Sequence, residues 1–153
     1  DKTMDIFGDR WNNYEEKIKN NWLNTVKSED IVILAGDFSW ATYLEETKRD
    51  FDFLNELPGK KFLLKGNHDY WWETVTKMNN FLEAKGLDDK IRFVYNSAFC
   101  AEEFAVCATK GYEKETEERL KQRELIRLEN SLVAGSYIYG SFDVKQAIES
   151  LRI

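Results

Sequence analysis

Two short apolar runs do most to limit how this chain can fold. Ile31-Val32-Ile33-Leu34 is continuous and rich in β-branched residues, and Lys61-Phe62-Leu63-Leu64 repeats the pattern further along. A strand with one wet face would alternate apolar and polar residues, so unbroken runs of this kind belong to strands covered on both faces. Between them, Leu44, Thr47, Phe51 and Leu54 recur at helical spacing until Pro58-Gly59 ends the helix. Upstream, Trp11, Tyr14, Ile18, Trp22 and Val26 mark an amphipathic helix that ends near Lys27, before the turn Ser28-Glu29-Asp30. Downstream, Val75, Met78 and Leu82 mark a third helix, closed by Gly86. Buried strands alternating with helices predict a parallel sheet with crossover helices. In such sheets functional groups gather just past the carboxyl ends of the strands.

From Ile91 the pattern changes. Ile91 to Tyr95, Ala98 to Cys100 and Phe104 to Ala108 predict three short strands joined by tight turns. A long charged helix follows over about 113–133, with Leu125, Leu128 and Leu132 as its buried stripe and its Glu, Lys and Arg residues on a solvated face. The tail predicts a short strand, Tyr137 to Tyr139, and a last helix from Val144. No repeat or linker divides the chain, and 153 residues suit a single domain over 1–153. A net charge of -6 argues against a strong nucleic-acid surface. It leaves room for a small phosphorylated substrate whose charge a bound cation offsets. Cys100 and Cys107 either close a hairpin disulfide or, as expected in preference, are reduced thiols packed as small apolar groups. No apolar run approaches the ~20 residues that cross a bilayer, and no charged-then-apolar leader is visible. The expectation is no membrane partner and a cytoplasmic setting.

Both predicted parallel strands end in a glycine followed by polar residues. The first gives Gly36-Asp37 and the second Gly66-Asn67-His68-Asp69. Each glycine frees the backbone for a sharp turn, and the residue after it is an oxygen donor. If the strands are parallel neighbours, Asp37 and Asn67 project from the same sheet edge. A carboxylate and an amide oxygen beside an imidazole suit a hard or borderline divalent cation. Either turn alone is a weak signal. The Gly-Asn-His-Asp run directly after an apolar strand, paired with a strand-Gly-Asp one βαβ unit upstream, is a strong one.

Ile33-Leu34-Ala35-Gly36-Asp37 and Leu63-Leu64-Lys65-Gly66-Asn67-His68-Asp69 resemble the calcineurin-like metallophosphoesterases. Met4-Asp5-Ile6-Phe7-Gly8 and the stretch Gly66 to Trp72 are also similar to a bacterial branch of phosphohydrolases. The resemblance spans roughly residues 1–132. It implies an αββα sandwich, incomplete in this chain, and a centre of two divalent ions (Mn, Fe or Zn). It assigns Asp37 as the bridging ligand, Asn67 as a ligand of the second ion and His68 as proton donor to the leaving group. Asp69 would orient the His68 ring. Two cations about 3.5–4 Å apart would polarise phosphoryl oxygens and activate water.

The family pattern is not complete here. His68 is the only histidine, so the Asp-x-His of the family's first strand and its Gly-His-x-His near the end are both missing. Asp1-Lys2-Thr3 does not supply the first. Tyr137 to Asp143 either resembles the strand that leads into the second, with Ser141 and Asp143 in place of histidines, or is unrelated and opens the last helix. Three explanations stay open: omitted segments of a complete enzyme, a natural short relative that binds metal poorly, or a non-catalytic domain. With two assigned ligands, the chain by itself is expected to bind Mn²⁺ weakly, since hard cations take about six donors. Of the aromatics near the loops, Trp40 and Trp71 are candidates for a substrate wall, while Trp72 suits a hydrophobic plug. The competing class is a catalytically inactive ligand- or partner-binding module. A Rossmann domain is a poorer alternative, because no Gly-x-Gly-x-x-Gly follows a strand.

Overall fold

The computed structural model describes residues 4–111 and 117–139. Strands β1 (Ile31–Leu34), β2 (Lys60–Leu63) and β3 (Ile91–Phe93) form a parallel sheet in that order. The register sets Leu34 beside Leu63, and Leu63 beside Phe93. Helices α1 (Tyr14–Thr25), α2 (Lys48–Glu56) and α3 (Val75–Ala84) alternate with these strands, as the spacing of apolar residues predicts. A 3₁₀ turn, Leu44–Thr47, leads into α2.

Alternation along β2 divides the interior. Leu63 faces the larger cluster, where Phe51 and Leu54 of α2 and Met78, Phe81 and Leu82 of α3 pack with Trp71, Trp72, Ile91 and Phe93. Phe51 is its hub, meeting Phe38, Trp71, Phe81 and Phe93 at centroid separations of 5.0–6.0 Å. Phe62 and Leu64 point the other way, toward Val94, Phe99, Ala101 and Val106. Those last three belong to an antiparallel ribbon, β4 (Ala98–Ala101) and β5 (Phe104–Cys107). The opposite face of the ribbon meets helix α4 (Glu118–Tyr139), where Gly135 lies against Cys107, Ala105 and Ala98. The layers therefore run helices, sheet, ribbon, helix, the αββα arrangement expected.

Three local expectations need correction. Trp11 is not in α1: Asn13 adopts a left-handed conformation (φ 56°), which starts the helix at Tyr14. Tyr137 to Tyr139 is not a strand but the end of α4, because contacts with the ribbon carry the helix through Gly135. A helical segment there does not match the family's strand before Gly-His-x-His. The buried positions described in α4 are Glu124, Ser131 and Gly135, while Leu125, Leu128 and Leu132 are half-buried. The reason is hydrogen bonding: Ser131 Oγ accepts from the Ala108 N–H at 2.9 Å, and Thr109 donates to Glu124 at 2.9 Å. Strands β4 and β5 form a two-stranded sheet of their own, while β3 joins the parallel sheet.

Cys100 and Cys107 are free thiols, but Cys100 is exposed rather than packed; burial raises the Cys107 thiol above its usual range. Asp1-Lys2-Thr3, Ser141, Asp143 and the helix expected from Val144 lie outside the described residues. No helix among the described residues is long and apolar enough to cross a membrane.

Candidate active site

The two polar turns meet at the carboxyl edge of the sheet. Because β1 and β2 are parallel and in register, Leu34 and Leu63 end together, and the Leu64 N–H donates to the Leu34 carbonyl at 2.9 Å. Beyond that bond the loops touch backbone to backbone. A Cβ on Gly36 would overlap Gly66 N and Cα, and a Cβ on Gly66 would overlap Asp37 N and Oδ1. Gly36 also has φ 106°, a conformation side chains disfavour. Asp37 follows with φ 54°, and its Oδ1 accepts the His68 N–H at 2.8 Å. Gly66 and His68 thus both contact Asp37, and Asn67 lies between them. Asp37, Asn67 and His68 are all exposed at this edge.

Asp69 holds this arrangement together. Its carboxylate is 3% exposed and accepts from Asp37 N (2.9 Å), Phe38 N (2.9 Å), Gly66 N (2.8 Å) and Trp71 Nε1 (3.0 Å). The expected role of Asp69 is therefore corrected: its oxygens serve backbone amides of both loops and an indole, not the His68 ring. Tyr70 fills that place instead, with its hydroxyl 3.5 Å from His68 Nδ1 and its ring edge-on at 6.1 Å. Tyr70 is 69% exposed. Trp71 is 1% exposed and belongs to the core, so it cannot form a substrate wall. Trp40 is 57% exposed and keeps that possibility, and Trp72 is the buried plug expected.

Behind the loops, Lys65 rests its ammonium 5.9 Å from the ring centroids of Trp72 and Tyr95. Burial holds it below the ordinary lysine range; Lys110 and Arg127 push the same way, against Glu124 and Asp69.

Asp37 Oδ2 accepts no hydrogen bond among the described residues, on a side chain that is exposed. This oxygen and the Asn67 amide oxygen are hard donors that fit part of a divalent-cation shell. No three His, Cys, Asp or Glu side chains converge among the described residues.

A layered α/β domain with Asp37, Asn67 and His68 on the turns past the carboxyl ends of its parallel strands carries them where such sheets bind ligands. A model of the calcineurin-like phosphoesterase family matches residues 5–129, and the chain belongs to that family. Its members usually bind divalent metal ions. No curated protein and no solved structure matches the chain.

Proposed function

We propose that this protein hydrolyses a phosphomonoester or phosphodiester of a small phosphorylated substrate at a dinuclear metal centre. Asp37 would hold both ions, Asn67 would hold the second, and His68 would hand a proton to the leaving oxygen. The observation that carries the reading is the four-donor clamp of Asp69, which presses the Asp37 turn against the Asn67-His68 turn. Rigid placement of this kind is what phosphoryl transfer needs, because most of its catalysis is positioning and electrostatics. Divalent ions, when bound, supply Lewis-acid polarisation of phosphoryl oxygens and lower the pKa of water.

The chain's own residues then divide the work. Asp37 gives up one oxygen to the His68 amide, which fixes the carboxylate plane and leaves the second oxygen outward. Asn67 presents a neutral oxygen and adds no charge against an anionic substrate. His68 stands exposed at the mouth, with Tyr70 beside Nδ1 to limit ring rotation. An imidazole placed there can reach a leaving oxygen.

A second reading is a binding module without turnover, and exposed Tyr70 and Trp40 beside the loops favour it. One assay separates the two. The natural full-length protein, loaded with Mn²⁺, should hydrolyse an activated aryl phosphate or diester and lose that activity on chelation. Activity untouched by chelation would overturn the hydrolytic reading; absent turnover with ligand binding lost in Tyr70→Ala would favour the module.

A further inference from the structure

The parallel sheet ends at β3, which pairs with β2 on one side and, among the described residues, with no strand on the other. In a parallel ladder alternate residues turn their main chain toward the neighbour. The Lys61 N–H donates to the Lys90 carbonyl at 2.7 Å, and the Val94 N–H donates to the Leu63 carbonyl at 2.9 Å. Lys90, Arg92 and Val94 therefore face β2, and the main-chain groups of Ile91 and Phe93 point outward in the plane of the sheet. The Ile91 carbonyl accepts from Nη1 of the exposed Arg92 at 3.2 Å. The N–H and C=O of Phe93 have no hydrogen-bond partner among the described residues, although Phe93 is only 2% exposed. Main-chain groups of buried residues are nearly always paired, because an unmade hydrogen bond there is costly.

A cleft of about 810 Å³ opens on that edge. Val75, Leu82 and Glu83 line it from α3, Phe93 from β3 and Phe99 from β4. Leu82 and Phe93 belong to the cluster between helices and sheet, whereas Phe99 packs with the cluster between sheet and ribbon. The walls thus come from both layers, and the space between them continues the sheet. From Val75 to Glu83 the helical wall runs about 12 Å, the length of roughly four residues of strand. Glu83 and Asp88 bring two carboxylates to the cleft, neither of them in an ion pair among the described residues, against the one guanidinium of Arg92.

We propose that the open edge of β3 docks an extended peptide segment of a partner protein, which adds a fourth strand to the sheet and sets a basic residue opposite Glu83 and Asp88. A strand offers Phe93 both an acceptor and a donor at the right spacing, which a helix does not. Alternate side chains of the segment then enter the two walls, apolar ones toward Val75 and Leu82 on one side and toward Phe99 on the other. A second copy of this chain fits less well. Pairing two β3 strands about a twofold axis centred on this three-residue element would bring Arg92 toward its own counterpart. The docking edge stands independently of the hydrolytic reading.

The test takes the natural full-length protein and a blocked hexapeptide of alternating valine and threonine with one terminal arginine. Fluorescence anisotropy reads binding, and NMR reads amide exchange. The peptide should bind with a dissociation constant below about 1 mM, and the Phe93 amide should then exchange at least about tenfold more slowly. Two further copies carry N-methyl groups on alternate residues. The copy whose methyl groups face β3 should lose binding at least about tenfold while the other keeps it, an asymmetry that strand pairing requires. Glu83→Lys, at an exposed position of α3, should weaken the arginine peptide about three- to tenfold and favour a glutamate-ended copy instead. Absent binding, equal affinity of the two methylated copies, unchanged Phe93 exchange or full affinity in Glu83→Lys would overturn the proposal. So would a Phe93 amide already protected in the free protein. Protection that grows with dimer mass would give the edge to a second copy, and protection at constant mass would give it to the protein's own chain.

Discussion

Asp69 shows how one carboxylate can decide the geometry of a site it does not enter. Four N–H donors, three of them backbone amides from two turns, converge on a side chain that is 3% exposed. Asp69→Asn would turn an NH₂ group toward at least one of those amides, leaving a buried donor unsatisfied. We expect a loss of about 2–4 kcal/mol in stability, measured by urea unfolding. Aryl phosphate turnover should fall with it, since the turns would no longer be pressed together; unchanged stability would refute the clamp. Lys61 offers a second test at this scale. It is fully buried in β2, its ammonium donates to the Leu57 carbonyl, and burial, then the charge of Lys90, pulls it down to about 8. The ordinary value of 10.5 applies to the unfolded chain, so between about 8 and 10.5 the unfolded state binds more protons than the folded one. Stability should therefore rise with pH across that window, and at pH 7 the charged lysine costs stability. Lys61→Met should stabilise the protein at pH 7 by on the order of 1–3 kcal/mol and flatten the rise above pH 8. Thermal melts across pH 7–10.5 check it; an identical pH profile in the variant would contradict the assignment.

At the scale of elements, α4 was the least legible part of the chain. Leucines at helical spacing predict the buried stripe, but the helix docks through Ser131 and Gly135, whose small size brings it close to the ribbon. A Cβ on Gly135 would stand 2.7 Å from Cys107 Sγ. Ala improves helix propensity by about 1 kcal/mol, while overpacking costs about 1–3 kcal/mol, so Gly135→Ala should destabilise by roughly 1 kcal/mol. In a Cys107→Ala background the same change should become stabilising, and a double-mutant cycle by chemical denaturation reads the reversal directly. Strands β1 and β2 were legible because an apolar run covered on both faces has few alternatives, and their shared edge followed from parallel pairing. The positions of Asp37, Asn67 and His68 were legible for the same reason. The role of Asp69 was not, because an aspartate after a histidine looks the same whether it faces the ring or a distant amide. Trp71 misled similarly: its place beside the site in sequence says nothing about the inward turn made by its indole bond to Asp69.

Across the whole molecule, the helix–sheet–ribbon–helix layering serves one edge. The parallel sheet brings three strand ends to that edge, the aromatic cluster around Phe51 anchors the turns from below, and Asp69 ties them together. The chain belongs to the calcineurin-like phosphoesterase family, and the proposed hydrolysis is assigned to this edge. The account assigns different work to neighbouring side chains, Asp37 to the cations and His68 to the proton, and that division is its central claim. The most direct measurement is kcat together with bound-metal content for Asp37→Ala and His68→Ala in the natural full-length protein. Asp37→Ala should lose both activity and metal, because the bridge between the ions is gone. His68→Ala should keep its metal and lose about 10²–10⁴ in kcat, the usual worth of a positioned acid. An active Asp37→Ala variant, or a His68→Ala variant that turns over like the parent, would contradict the account.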